Sequence, residues 1–218
     1  IEMVKNHKNR KSKRFEIFNL KKVFSLSGEV DYASTLDAIK DDISFKGTTS
    51  WVLICSIFIA SIGLNTNSTA VVIGAMLIAP LMGPVLGIGV SLAINDLNLL
   101  RSAFLNFLVM VFLSVSTASL FFLLFPLQQE SSELLSRTSP DIRDVFIAFF
   151  GGAALAVAKT KKGTIASVIY GVAIATALMP PLCTIGYGIS QLNLKYAVGA
   201  FYLFSINATY IAFASFVV

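Results

Sequence analysis

A four-residue motif occurs twice in this sequence, and the interval between its copies constrains the architecture. Leu-Met-Gly-Pro occupies 81–84 and Leu-Met-Pro-Pro occupies 178–181, an interval of 97 residues from 81 to 178. The same interval joins three further identical pairs: Gly74 and Gly171, Ile88 and Ile185, and Gly89 and Gly186. A long internal repeat predicts a chain made of two similar structural units. Further along, we expect Leu97-Asn98 to match Leu192-Asn193 after two residues are dropped.

The composition predicts that both units lie in a membrane. Hydrophobic residues make up 56% of the sequence and charged residues 13%, with a mean hydropathy of +0.78. In a soluble domain about a quarter of the residues are charged. Apolar segments of roughly 20 residues can cross the hydrocarbon core. Six spans are predicted, at 48–64, 69–94, 102–127, 142–158, 164–189 and 196–218.

The predicted fold is an all-α membrane protein of six transmembrane helices arranged as two inverted three-helix repeats. An odd number of spans in each repeat turns the second repeat upside down, as in many transporters. The expected divisions are a cytoplasmic basic leader with an amphipathic helix at 1–47, the first repeat at 48–127, an outer loop at 128–141 and the second repeat at 142–218.

Charged loops give the expected orientation. Eight basic residues lie between Lys5 and Lys22, and Lys159, Lys161 and Lys162 follow the fourth span. Such loops stay in the cytoplasm, whereas the connection 128–144 carries four acidic and two basic residues and suits the outer face. We expect a cytoplasmic N-terminus whose basic residues contact membrane lipids, and no nucleic-acid partner.

Short helices are expected ahead of each repeat. The segment 34–37, Ser-Thr-Leu-Asp, resembles a capping box, and the apolar residues after it have helical spacing. This pattern predicts an amphipathic helix on the inner surface. In the second repeat, Ser131 begins the matching segment, and Ser139 with Pro140 is expected to start the fourth span.

The second and fifth spans contain prolines at corresponding places, and we expect both helices to be broken there. Proline removes an amide donor and clashes with the carbonyl one turn earlier, and in hydrocarbon the freed carbonyl has to face protein, water or a solute. One hypothesis is a central solute site between the breaks; the other is packing kinks, since proline and glycine are common in membrane helices. The candidate substrate-binding residues are Pro80, Met82, Gly83, Pro84, Thr176, Met179, Pro180, Pro181, Cys183 and Thr184.

Small and polar residues within the spans predict how the helices associate. Small residues about one turn apart allow close helix packing, and the same faces let subunits press together. We expect a homo-oligomer with Gly151, Gly152 and Ala154 near a helix contact. Asn106 and Asn207 are expected to join helices by hydrogen bonds.

Residue types that carry catalysis are scarce. His7 is the one histidine, and no Asp, Glu or His lies deep in a predicted span, which argues against a carboxylate proton relay. Cys55 and Cys183 fall in predicted spans and are interpreted as small apolar residues. We expect no enzymatic activity, no catalytic residue, no cofactor and no metal site.

The segment 62–84 resembles the signature of a known membrane family. It reads IGLN at 62–65 and STAVVIGAMLIAPLMGP at 68–84, and it is similar to domain of unknown function 389, a bacterial and archaeal family also described as an uncharacterised hydrophobic domain. The similarity continues more loosely through 160–181 to the end of the chain. It implies a prokaryotic multi-pass protein of the plasma (inner) membrane, and supplies no substrate or catalytic residue.

Two functions from different classes fit these features. The first is a transporter or channel in which an unknown small solute or ion passes between the broken helices. With no buried charge, its selectivity would come from backbone carbonyls, hydroxyls and helix ends. The second is a non-transporting membrane scaffold or sensor that assembles through small-residue helix faces. A hydrated cavity reaching both breaks would favour the first function, and a dry centre the second.

Overall fold

The computed structural model of the chain describes residues 32–44, 46–126, 131–159 and 178–218. These ranges are helical and contain no strand. The basic leader before Tyr32, the loop residues Lys161 and Lys162, and the first part of the predicted fifth span lie outside the described residues. The helices are α1 (Tyr32–Ile43), α2 (Gly47–Asn65), α3 (Thr69–Ile78), α4 (Met82–Ala93), α5 (Leu97–Leu124), α6 (Ser132–Leu135), α7 (Ile142–Lys159), α8 (Met179–Ser190) and α9 (Leu194–Val217).

Three of these helices, α2, α5 and α9, are long and apolar enough to cross a membrane. The pair α3 and α4 meets the same standard when counted as one bent span. Helix α7 coincides with the predicted fourth span but carries Arg143, Asp144 and Lys159 near its ends. The described residues therefore form an all-helical protein with three or four candidate membrane spans.

The predicted interruption of the second apolar segment is present. Helices α3 and α4 are bent by 53° at a break between Ile78 and Met82, where Pro80 has no amide hydrogen to continue the ladder. Pro84 lies in the first turn of α4, and Pro180 and Pro181 lie in the first turn of α8. Amides in a first turn have no intrahelical partner. These three prolines therefore lie where helices start. The break expected in the fifth span stays a prediction, because the residues before Leu178 lie outside the described part of the chain.

The turn that ends α4 recurs 97 residues later at the end of α8. Asn95 and Leu192 both have positive φ angles, of 56° and 52°. The next residues, Asp96 and Asn193, cap α5 and α9 through side chains that accept backbone amide hydrogens. The repeat thus keeps its interval without a gap, and the expected loss of two residues is wrong. The residue with the positive φ angle is Asn95 in one copy and Leu192 in the other. Because these two residue types differ, the sequence alone did not reveal that the positions correspond.

The two repeats exchange contacts between their helices. Helix α4 packs on α9, and α8 packs on α5. A Cβ added at Gly89 would lie 2.7 Å from the Cβ of Ser215, and one added at Gly186 would lie 2.5 Å from the Cβ of Ala118. Both members of the first pair are 97 residues from the corresponding members of the second. The same close approach therefore occurs twice, between α4 and α9 and between α8 and α5.

The structure of α7 bears on two expectations. A Cβ on Gly152 would lie 2.8 Å from the Cα of Ile211 in α9, so the expectation that this glycine lies near a helix contact is confirmed, and the contact is made within the chain. Helix α7 begins at Ile142 rather than near Ser139. Its first turn is capped by the carboxylate of Asp144, which accepts the amide hydrogen of Asp141 at 2.7 Å.

Large apolar side chains cover much of the outer surface. On α5, residues at helical spacing face outward, and Phe112 is 75% exposed. The core lies between α2, α5, α8 and α9, and includes the fully buried Leu53, Phe122 and Leu182. Exposed apolar area of this extent is unfavourable in water at about 25 cal/mol per Å² and marks a surface that contacts lipid or another protein.

Candidate functional site

An open cavity of about 270 Å³ lies at the break between α3 and α4. It is bounded by the broken segment, by the end of α1 and by the last turns of α7. The lining residues are Asp42, Leu77, Ala79, Pro80, Met82, Gly83, Leu86, Leu155 and Lys159. Its volume is close to the lower limit for small-molecule sites, roughly 300 Å³, so it suits a small solute.

An ion pair lies at the edge of this cavity. The Lys159 ammonium donates to the Asp42 carboxylate at 2.5 Å. The lysine side chain is 15% exposed and the aspartate side chain 41%, so the pair is partly withdrawn from solvent. Lys159 is the last residue of α7 and Asp42 the next-to-last of α1. The pair therefore joins the lead-in helix to the second repeat.

Close packing on two glycines of α4 holds α1 in position. A Cβ on Gly83 would overlap the backbone carbonyl of Asp42, and one on Gly87 would overlap the Ile43 side chain. The side-chain amide of Asn106, in α5, donates to the Ile43 carbonyl at 2.9 Å. This bond satisfies one of the carbonyls left unpaired at a helix end. The expectation that Asn106 joins helices is confirmed, with α1 as its partner.

The first residues of α4 lie beside the cavity. Leu81 precedes α4, and its side chain provides no capping hydrogen bond. The first amides of a helix have no intrahelical acceptor, and two of these residues, Met82 and Gly83, line the cavity. With the carboxylate and ammonium of the ion pair, the cavity can bind a small polar solute. In the described ranges, no group of three or more His, Cys, Asp or Glu side chains could hold a metal ion.

The second motif is elsewhere in the structure. Met179, Pro180, Pro181, Cys183 and Thr184 are buried, and none lines the cavity. The Thr184 hydroxyl donates to the Pro180 carbonyl at 3.0 Å, so this carbonyl already has a hydrogen-bond partner within the protein.

The structure thus gathers three of the ten predicted site residues in one cavity, namely Pro80, Met82 and Gly83. Pro84 is buried within α4, and Thr176 lies outside the described residues. Asp42 and Lys159 were not predicted as site residues. Lys159 was interpreted as a marker of topology, and Asp42 falls within the predicted amphipathic helix. Their separation of 117 residues left no local signal.

A second, larger groove opens on the outer surface between α4, α5 and α9. Its volume is about 590 Å³, and its lining is almost entirely apolar, with Thr209 as the one hydroxyl-bearing residue. The lining residues are Val85, Ile88, Leu92, Phe104, Phe107, Ala208, Thr209, Ala212, Phe213 and Phe216. The groove has no residue in common with the cavity at the break.

Comparison with known proteins now identifies the family. The sequence model described as Domain of unknown function (DUF389) matches residues 76–213, which include the whole break and both copies of the repeated motif. The chain belongs to this family. The resemblance stated from 62–84 is thereby confirmed.

A relative of the family member described here is an uncharacterized protein of the archaeon Methanocaldococcus jannaschii. It is 27% identical over 167 residues, which cover 77% of this chain and 52% of the relative. The chain thus spans about half the length of this curated relative. No solved structure matches the sequence significantly.

Proposed function

We propose that this chain is a membrane transporter or channel whose small solute binds at the Pro80 interruption. The open cavity that ends on the interrupted backbone carries this proposal. Broken helices commonly form solute sites in transporters, because their free amides and carbonyls can replace the water around a solute. We propose a small neutral polar solute, or an ion held by backbone groups. The chemistry is binding and passage, without catalysis.

Contacts between segments assigned to the same side support a six-span topology. The cytoplasmic N-terminus in this proposal rests on the basic residues before the first span, and the prokaryotic inner membrane on the family. Asp42 and Lys159, which pair, belong to regions predicted to be inside. Asn67 and Ser132, both predicted to be outside, are joined by a hydrogen bond of 3.1 Å. Each contact joins two segments assigned to the same side, as this topology requires.

Reciprocal contacts support the inverted repeat. The contact of Gly89 with Ser215 and that of Gly186 with Ala118 are exchanged by the 97-residue shift, as expected for two halves related by a twofold axis. With three spans in each half, such an axis lies in the plane of the membrane. The fifth span would then be the counterpart of the bent pair α3 and α4.

A difference between the two motifs supports an inward-open arrangement. Pro80 and Met82 line an open cavity, whereas Met179 and Pro180 are buried. In inverted-repeat transporters the two halves alternate in exposing a central site. The ion pair at the cavity edge lies on the inner side of the proposed topology, so this cavity would open to the cytoplasm.

Flux through reconstituted vesicles tests the proposal. Rubidium, chloride and glycerol serve as probes, and at least one is expected to cross faster than in protein-free vesicles. Replacing Met82 with Trp should fill the cavity and reduce that flux at least tenfold. The matched control is Leu108→Trp, on the exposed face of α5, which should keep the parental flux. Equal flux through both variants would exclude this cavity as the pathway.

A scaffold or sensor remains the second candidate, because the second motif is buried and forms no cavity with the first. In that role the chain would assemble as a homo-oligomer through exposed small residues such as Ala154, now without Gly152. Folded parent protein that passes none of the three probes, yet has a defined oligomeric size in detergent, would favour the scaffold.

A further inference from the structure

We propose that the apolar groove between α4, α5 and α9 binds one acyl chain of an anionic phospholipid of the inner leaflet, with Arg101 contacting the headgroup phosphate. The groove of about 590 Å³ is lined by apolar side chains of three helices. Its volume lies well within the range of small-molecule sites, roughly 300–1,000 Å³. The inference rests on the membrane orientation proposed above and is independent of transport.

The length of α5 indicates how deep in the membrane the groove lies. Its 28 residues extend about 42 Å, whereas the hydrocarbon core is about 30 Å thick. The outer end is fixed by the side-chain amide of Asn65, which donates to the Phe125 carbonyl at 3.4 Å. The excess of about 12 Å, or about eight residues, therefore extends from the inner end. Phe104 lies at the inner boundary of the hydrocarbon, and Arg101 at the level of the headgroups.

Arg101 is in register with the groove. It precedes Phe104 by three residues, a spacing that puts two side chains on the same helix face. Helical side chains lean toward the N-terminus of their helix, which for Arg101 is the cytoplasmic direction. The residue is exposed, and among the described residues its guanidinium has no ion-pair partner.

The apolar groove and Arg101 together favour a phospholipid over other occupants. An alkyl chain matches an apolar lining, and a guanidinium binds phosphate through paired hydrogen bonds. Asp96 is the nearest acidic residue in sequence, and its carboxylate is already engaged by the amides of Asn98 and Leu99 at the start of α5. The groove faces outward beside exposed apolar residues of α5, where acyl chains are the surrounding solvent.

Quenching of a single tryptophan by brominated lipids tests this site. The chain has one tryptophan, Trp51, so a Trp51→Phe background allows one reporter at a time. Phe104→Trp reports from the groove; Phe112→Trp reports from the exposed face of the same helix, 75% exposed. Two sets of vesicles with the same equimolar mixture of phosphatidylglycerol and phosphatidylcholine are compared, one with only the phosphatidylglycerol brominated and the other with only the phosphatidylcholine brominated.

The groove reporter should prefer the anionic lipid about fivefold, the effect expected of one basic residue near a membrane surface. Arg101→Gln should reduce this preference to about one. Lys195→Gln removes a charge at the other end of the protein and should leave the preference unchanged. The Phe112→Trp reporter should not distinguish the two lipids in any variant.

Three results would overturn the site. They are equal quenching by both lipids at the groove reporter, a preference that survives Arg101→Gln, and a groove reporter that neither lipid quenches. The last result would mean that a protein segment or a second copy covers the groove. If Phe104→Trp does not fold, Phe216→Trp is a second reporter that lines the same groove. None of these readouts depends on flux, so failure of the lipid site is distinguishable from failure of the proposed transport.

Discussion

The ammonium of Lys159 and the carboxylate of Asp42 lie 2.5 Å apart, although 117 residues separate them in the sequence. They join the lead-in helix to the end of α7 at the edge of the cavity. At the positions 97 residues away in the sequence, Ser139 corresponds to Asp42 and Ile62 corresponds to Lys159. The ion pair therefore has no counterpart at this interval.

Charge reversal tests the contribution of this pair to stability. Asp42→Lys and Lys159→Asp should each lower the free energy of unfolding by about 1 kcal/mol, the upper part of the range for incompletely buried pairs. For a chain of this size that corresponds to roughly 2–4 °C in Tm. The double reversal should recover most of the loss. Additive losses in thermal unfolding would show that the two side chains do not interact in solution.

Removal of the Asn106 amide should release α1 from the helices around it. Asn106→Leu leaves the Ile43 carbonyl without its donor, at a cost of about 1–2 kcal/mol. Hydrogen exchange of the amides of α1 should accelerate by roughly 5- to 30-fold. Asn98→Leu, at the exposed start of the same helix, is the control and should leave exchange in α1 unchanged. Unchanged exchange in both variants would contradict the assigned bond.

The two corresponding glycines should be similarly intolerant of substitution. Gly89→Ala and Gly186→Ala each introduce a methyl group that overlaps atoms of a facing helix. Each substitution should reduce the free energy of unfolding by about 1–3 kcal/mol, as overpacking does. Gly74, where an added Cβ meets nothing within 4 Å, is the matched control, and alanine there should be neutral or stabilising. Thermal unfolding of the three variants measures the effects, and equal tolerance at all three positions would argue against the close helix contacts.

Labelling of single cysteines tests the orientation. In a background lacking Cys55 and Cys183, a cysteine at position 66 should react with a membrane-impermeant maleimide applied to intact cells. A cysteine at position 161 should react only after the membrane is opened, because its basic loop is expected inside. Labelling of both positions from the outside would contradict the three spans expected between them and remove the basis for an inverted repeat.

The exposed turn before α7 should contribute to stability in a pH-dependent way. A hydrogen bond from the Arg143 side chain lowers the pKa of Asp141 below its ordinary value. Because the folded-state pKa is the lower one, the contribution is complete above the unfolded value of about 3.9. It is lost as the pH falls through the folded-state pKa. The Tm difference between the parent and Asp141→Asn should therefore be present at pH 6 and disappear at acidic pH. A difference independent of pH would rule out this ion pair as its cause.

Elements set by local sequence were predicted well. The apolar lengths gave α2, α5, α7 and α9 within a few residues, and Pro80 gave the bend, because chain length across a membrane and loss of an amide donor are local properties. The roles of the other prolines were less accessible. The neighbouring sequence does not distinguish a proline in the first turn of a helix from one inside a helix, unless the first residue of the helix is known.

The site depended on tertiary packing that no local pattern revealed. Lys159 was interpreted from the sequence as a marker of topology, but its pairing with α1 depends on the contact of that helix with Gly83 and Gly87. Gly83 was predicted to line a solute site, and both glycines also provide the surface against which the lead-in helix packs. The burial of Pro180 and Pro181 likewise depends on how α8 packs, because the two motifs alone are nearly identical.

The bond between Asn106 and the Ile43 carbonyl also fixes an order of events during synthesis. Its two residues are 63 positions apart, an interval that takes roughly 3–13 s at ribosomal rates of about 5–20 residues per second. Helix α1 is thus synthesised early, but its hydrogen bond to Asn106 cannot form until the third apolar segment has left the ribosome. Until then the cavity at Pro80 lacks the wall formed by α1. The wall formed by Leu155 and Lys159 follows later still, so the complete cavity exists only after α7 has been synthesised.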